Sequence, residues 1–184
     1  MQVDIKIRNI FLGNVGKGVD KCYDLCHHFA GRQAGRQAGK SVNHEVDIMQ
    51  KAVAIVTELG ALDGRDCIFL SSAEQDDRGS MIITGDINGA LVSKHKGEKR
   101  WFPYKCIFRG VLACFSCELD TYENLDQNSW KERSCFDQME GSEWLEALPV
   151  REDFDKSKYR HYRLFTYDVV YHIIAAEYQL EIDI

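Results

Sequence analysis

The chain has 184 residues, of which 45% are hydrophobic, 28% charged and only two proline, a profile that excludes a disordered or fibrous protein. Its net charge of −6 works against general attraction to phosphate backbones or anionic lipid. At this length one core is expected, hiding roughly 70% of the unfolded surface, so residues 1–184 read as a single α+β domain.

The first segment, MQVDIKIRNIFLG, alternates Val3, Ile5 and Ile7 with Asp4, Lys6 and Arg8, a period of two that predicts a strand over 2–12. It lacks the uninterrupted apolar region of a signal peptide, and no apolar run reaches the ~20 residues that span a bilayer. Seven cysteines without an export signal imply free thiols in a reducing compartment. A cytoplasmic protein is expected, without a membrane partner.

Next come Val19, Cys22, Tyr23, Cys26, Phe29 and Ala30 at helical spacing, predicting a helix over 18–30. The tandem GRQAGRQAG reads as an exposed connection. Val46, Met49, Val53, Val56 and Leu59 then form an apolar stripe ending at Gly60, which predicts a second helix over 43–59. These two N-terminal helices are expected to pack on one face of a mainly antiparallel sheet.

The sheet is assembled from CIFLSS, SMIITGDI, ALVSKH and WFPYKCIFRGVLACFSCEL. Asn88-Gly89 offers the two positive-φ residues of a type I′ turn, pairing 80–87 with 90–95 as a hairpin that the next strand extends into a meander. A short helix is expected at 142–148. The final HYRLFTYDVVYHIIAAEYQLEIDI predicts a strand, a helix capped by Thr166 or Asp168, and a last strand.

Three chemical readings compete over this frame. A zinc site built from Cys22, Cys26, His27, His28, Cys114 and Cys117 has attractive ligand types. Its geometry is poor, because Cys114 and Cys117 stand three apart in a strand; no metal or other cofactor is expected. A Cys–His hydrolase-like enzyme is the second, with Cys135 the least core-like thiol, but no nucleophile elbow, P-loop, His-Glu-x-x-His or dinucleotide fingerprint supports it. His172 reads as a core histidine within an apolar helix.

The third reading rests on charge. Residues 118–157 hold twelve acids against four bases, a net −8, interleaved with Tyr122, Trp130, Phe136 and Trp144. Aromatics beside carboxylates are what a protein interface uses as anchors and steering charges. The candidate contact residues are Asp120, Tyr122, Glu123, Asp126, Trp130, Glu132, Asp137, Glu140 and Glu143, facing a basic protein and not nucleic acid itself.

The run GDINGALVSKHKGEKRWFPYKCIFRGVLACFSCELDTYE, with SW near 130 and HYRLFTYDVVYHIIAAEYQLEID, resembles small bacterial immunity proteins of polymorphic toxin systems. The resemblance covers the second half of the chain and transfers no active-site residue. It implies a non-enzymatic inhibitor binding one cognate toxin, and the acidic segment points to a nuclease with a basic cleft. A phage-encoded inhibitor of a nucleic-acid-binding defence protein would use the same physics.

Overall fold

The computed structural model describes residues 50–94, 100–125 and 134–184, all within one compact unit of the chain. These residues form nine strands in two antiparallel sheets. β1 (Lys51–Ala54), β6 (Phe136–Glu140), β7 (Arg160–Phe165), β8 (Val169–Ala175) and β5 (Ala113–Glu118) make a five-stranded sheet in the order β1-β6-β7-β8-β5. β2 (Ile68–Gln75), β3 (Met81–Asn88), β4 (Trp101–Arg109) and β9 (Glu177–Ile182) make a four-stranded sheet in the order β2-β3-β4-β9. The α-helices are two and short among the described residues, α1 (Leu119–Leu125) and α2 (Glu143–Ala147).

The α+β expectation with two N-terminal helices is therefore corrected: the described residues are mostly β, and their two α-helices lie in the second half of the chain. Residues 2–12 and 18–30 lie outside the described residues. Within the segment expected as the second helix, Lys51–Ala54 is a strand, pairing in register with Asp137–Glu140. Val53 is β-branched and fits a pleated edge strand, while Val56, which the helical spacing links to it, lies beyond the strand and is exposed. Leu59 is nevertheless fully buried, and Gly60 has φ 90°.

The Asn88-Gly89 hairpin is also corrected. Asn88 keeps an extended backbone and accepts a hydrogen bond from Ala90 N, capping a 3-10 turn over Gly89–Leu91. β3 instead pairs with β2 before it and β4 after it, so the meander is β2-β3-β4. Asn88 has taken its capping role in place of its turn role, both being open to a short side chain that bonds its own backbone.

The expected long strand from Trp101 to Leu119 divides at Gly110, whose φ of 63° suits glycine. β4 lies in one sheet and β5 in the other. The returning strand divides opposite, where Ala176 N donates to Arg109 O between β8 and β9. A Cβ on Gly110 would stand 3.1 Å from the Ala176 Cβ, so the two bends pack on each other. Both strands thus switch sheets at one corner, as in orthogonally packed sheets.

Between the sheets, Phe108 of the four-stranded sheet meets Phe136 at 6.2 Å and Tyr162 at 5.5 Å, and Phe136 meets Tyr178 at 5.1 Å. Each of these rings removes a large apolar area from water and adds edge or tilted ring contacts. The interior is completed by Ile83, Ile87, Phe102, Leu164 and Ile173, all fully or nearly fully buried.

Candidate partner-binding surface and the polar layer beneath it

α1 begins where β5 ends, and Glu118 caps it. Its carboxylate accepts from Asp120 N at 3.0 Å and Thr121 N at 2.7 Å. Hydrogen bonds from Thr121, side chain first and amide next, hold the Glu118 carboxyl below its ordinary range. A carboxylate at this position satisfies donors that a helix start leaves orphaned. Leu119 points into the core and its N–H donates to Asp168 O at 2.9 Å, fixing α1 to the β7–β8 turn.

One turn of helix separates the inward from the outward side chains. Tyr122 is buried, its ring 5.8 Å from Phe165 and 5.4 Å from His172. Asp120 is exposed and Glu123 half-buried, and both pair with Arg65, Asp120 by a close ion pair and Glu123 at 3.5 Å. The Arg65 guanidinium is correspondingly held above its ordinary range, Asp120 being the main cause.

Beneath α1 and α2, the outer face of the five-stranded sheet carries polar side chains in a buried layer. Ser142 Oγ and His161 Nδ1 share a hydrogen bond of 2.7 Å, His161 Nε2 and His172 Nδ1 one of 2.8 Å, and His172 Nε2 and Tyr122 Oη one of 3.0 Å. Burial, with a smaller push from Arg163, lowers the His161 pKa to about 3. Beside this chain, Asp137 and Arg163 form a buried ion pair at 2.7 Å, and Asp137 also accepts from Ser134 N at 3.3 Å and Ser134 Oγ at 2.9 Å. The Arg163 guanidinium lies over the Phe165 ring at 4.9 Å, while its Nε has no partner.

The Ser142–His161–His172 order invites a nucleophile reading, but the geometry serves structure. Ser142 Oγ accepts from Leu145 N at 3.1 Å as the cap of α2, the helix expected at 142–148. Ser142 is 5% exposed and His161 1%. The array fastens both helices to the sheet: α2 through Ser142, and through Trp144, whose ring meets His161 at 5.2 Å; α1 through Tyr122.

The nine candidate contact residues therefore divide. Asp120, Glu123, Glu140 and Glu143 reach the surface, whereas Tyr122 and Asp137 are committed inward. Asp126, Trp130 and Glu132 lie outside the described residues. Glu140 also lines a shallow groove of about 420 Å³ between β6, α2 and the 3-10 turn Lys156–Lys158. His172 sits in strand β8 and not in a helix.

Of the described thiols, Cys67, Cys106 and Cys135 are buried and Cys114 and Cys117 partly so. Cys135 is buried and donates to Gly64 O at 2.9 Å; its hydrogen bond with Cys67, together with burial, holds it far above its ordinary range. Burial pushes Cys106 and Cys114 up to about 12. A thiol so raised is a poor nucleophile. Among the described residues no group of three or more His, Cys, Asp or Glu is placed to hold a metal ion, and Cys22, Cys26, His27 and His28 lie outside them. Nor does a described helix have the length and apolarity to cross a membrane.

No protein-family model matches the chain, and neither a curated protein nor a solved structure matches it significantly.

Proposed function

We propose that the protein is a one-to-one inhibitor of a basic protein, of the immunity type, acting through the acidic surface centred on α1. One observation carries the reading. α1 turns Tyr122 into the buried layer and is capped by Glu118, so Asp120 and Glu123 are presented outward on an anchored base. Charges held in place on a well-packed support steer a partner of opposite sign and lose little freedom on binding. A nuclease toxin, with its basic cleft, is the partner class that this surface complements.

The test is a titration of a basic nuclease toxin with purified protein, the toxin being sought among the products of neighbouring reading frames. Inhibition is expected to be complete at one equivalent, and Asp120→Asn with Glu123→Gln should lower the association rate about tenfold at low salt and much less at high salt. Inhibition at far below one equivalent would point to an enzyme acting on the toxin. Association that ignores both substitutions would place the interface elsewhere.

A further inference from the structure

Next to the acidic helix lies an aromatic cluster that none of the buried network uses. Phe69 of β2 stacks on Tyr167 of the β7–β8 turn, with ring centroids 4.9 Å apart and planes 11° from parallel. Trp101 at the start of β4 meets the same Phe69 edge-on, again at 4.9 Å. Trp101 is 48% exposed and Tyr167 43%, a high exposure for two rings that already touch a common neighbour. Tyr167 N donates to Ile68 O at 2.7 Å, so the turn is held against β2 and the cluster is preformed.

Two carboxylates lie beside it. Asp86 is the cross-strand partner of both Phe69 and Pro103, which places it on the same outer face of the four-stranded sheet. Asp168 follows Tyr167 and is exposed. Leu119 N at the start of α1 donates to the O of Asp168, the residue after Tyr167, at 2.9 Å, so the cluster lies next to α1. Among the described residues, Arg65 is engaged by its two acids and Arg100 lies over the Phe102 ring at 4.8 Å, while Lys105 is exposed two positions beyond Pro103 on the same face.

We propose that the Trp101–Phe69–Tyr167 cluster receives an arginine side chain of the protein partner, the ring faces taking the flat guanidinium and Asp86 or Asp168 its N–H donors. A guanidinium suits this surface better than an ammonium, being planar, weakly hydrated and able to stack while donating in its plane. Within this chain, arginines already lie over phenylalanine rings at 4.8, 4.9 and 5.0 Å. Electrostatic complementarity selects a cation, and the exposed rings select its shape. The inference rests on the proposed inhibitor reading for its partner, but the site has its own test.

Calorimetric titration with capped hexa-arginine and hexalysine peptides of equal charge supplies that test. The arginine peptide is expected to bind about tenfold more tightly, and Trp101→Thr or Tyr167→Asn should each bring it down to about the lysine level. Equal affinities for the two peptides, or variants that bind as the parent does, overturn the proposal. The variants sit on different elements, so a loss of folding in one leaves the other readable. Self-association abolished by Trp101→Thr would show a second copy as the occupant and also overturn it. Against a nuclease toxin that the parent protein inhibits, slow association of Asp120→Asn/Glu123→Gln with normal binding by Trp101→Thr would sink the arginine site alone. Normal behaviour by both would sink the inhibitor surface with it.

Discussion

The outer faces of the two sheets differ in what lies on them. On the four-stranded sheet the face is open: β4 alternates exposed Trp101, Pro103 and Lys105 with buried Phe102, Tyr104 and Cys106. On the five-stranded sheet the corresponding face is closed, and β7 is buried at every position from His161 to Phe165. The open face holds surface charges that water can solvate. The closed one holds a buried ion pair, the buried His161 and the half-buried His172, so the buried groups Asp137, Arg163 and His161 depend on protein partners.

Removing one member from each face breaks or confirms this contrast most sharply. Asp137→Ala leaves Arg163 charged in the closed layer and also strips Ser134 of an acceptor, so a loss of about 3–5 kcal/mol is expected in denaturant unfolding. Lys105→Ala, whose cross-strand partner Glu181 lies on the open face, should change stability by no more than about 0.5 kcal/mol. Similar losses from the two substitutions would show that the closed layer admits water.

The same contrast explains which elements were legible in the sequence. In β9 Tyr178, Leu180 and Ile182 alternate with polar residues, so a period of two identifies it, whereas β3 and β4 alternate in burial but not in sequence, Ile82 and Ile107 interrupting the pattern, and are identified by their β-rich composition. β8 is covered on both sides, and VVYHIIA shows no alternation; a run of seven residues that is apolar except for His172 fits a buried strand or a helix equally, and the structure makes it a strand. In β7 the strand was legible but the burial of His161 and Arg163 was not, because their partners Ser142 and Asp137 are 19 and 26 residues away. The acidic surface was visible as composition. Which acids it would keep was not, since Asp137 and Asp120 look alike until Arg163 claims one and Arg65 the other. The aromatic cluster left no local signal, as Phe69, Trp101 and Tyr167 come from three separated segments.

Acid should probe the closed layer at intermediate magnitude. Burial lowers the His161 pKa in the folded protein to about 3, against the ordinary value of 6.5, so between these limits the unfolded chain binds the extra proton. Stability from this residue is complete above about pH 6.5 and falls on acidification, by up to about 1.4 kcal/mol per pH unit. The hydrogen-bonded chain adds a geometric limit. One proton on His161 lets both its nitrogens donate, to Ser142 and to His172, but a second on His172 would set two N–H groups against each other across the 2.8 Å contact. Unfolding midpoints measured from pH 7 to pH 5 should show the loss, and His161→Gln should flatten it. A parent protein with no slope over that range would mean that the histidines are solvated.

The smallest effect is expected at the surface pairs that the proposed function uses. Arg65 is 45% exposed at its side chain and Asp120 67%, so water screens their attraction and competes for both groups. Holding two long side chains in one arrangement also opposes the pairing. Asp120→Asn and Glu123→Gln together are therefore expected to shift stability by less than about 1 kcal/mol, measured by the same unfolding experiment. That near-silence is what makes them useful: α1 keeps its Glu118 cap and its Tyr122 anchor, so a slower encounter with a basic partner would report on charge alone. A loss comparable to that of Asp137→Ala would instead mean that Arg65 ties α1 to the sheet, and the acids would then belong to the fold before they belong to an interface.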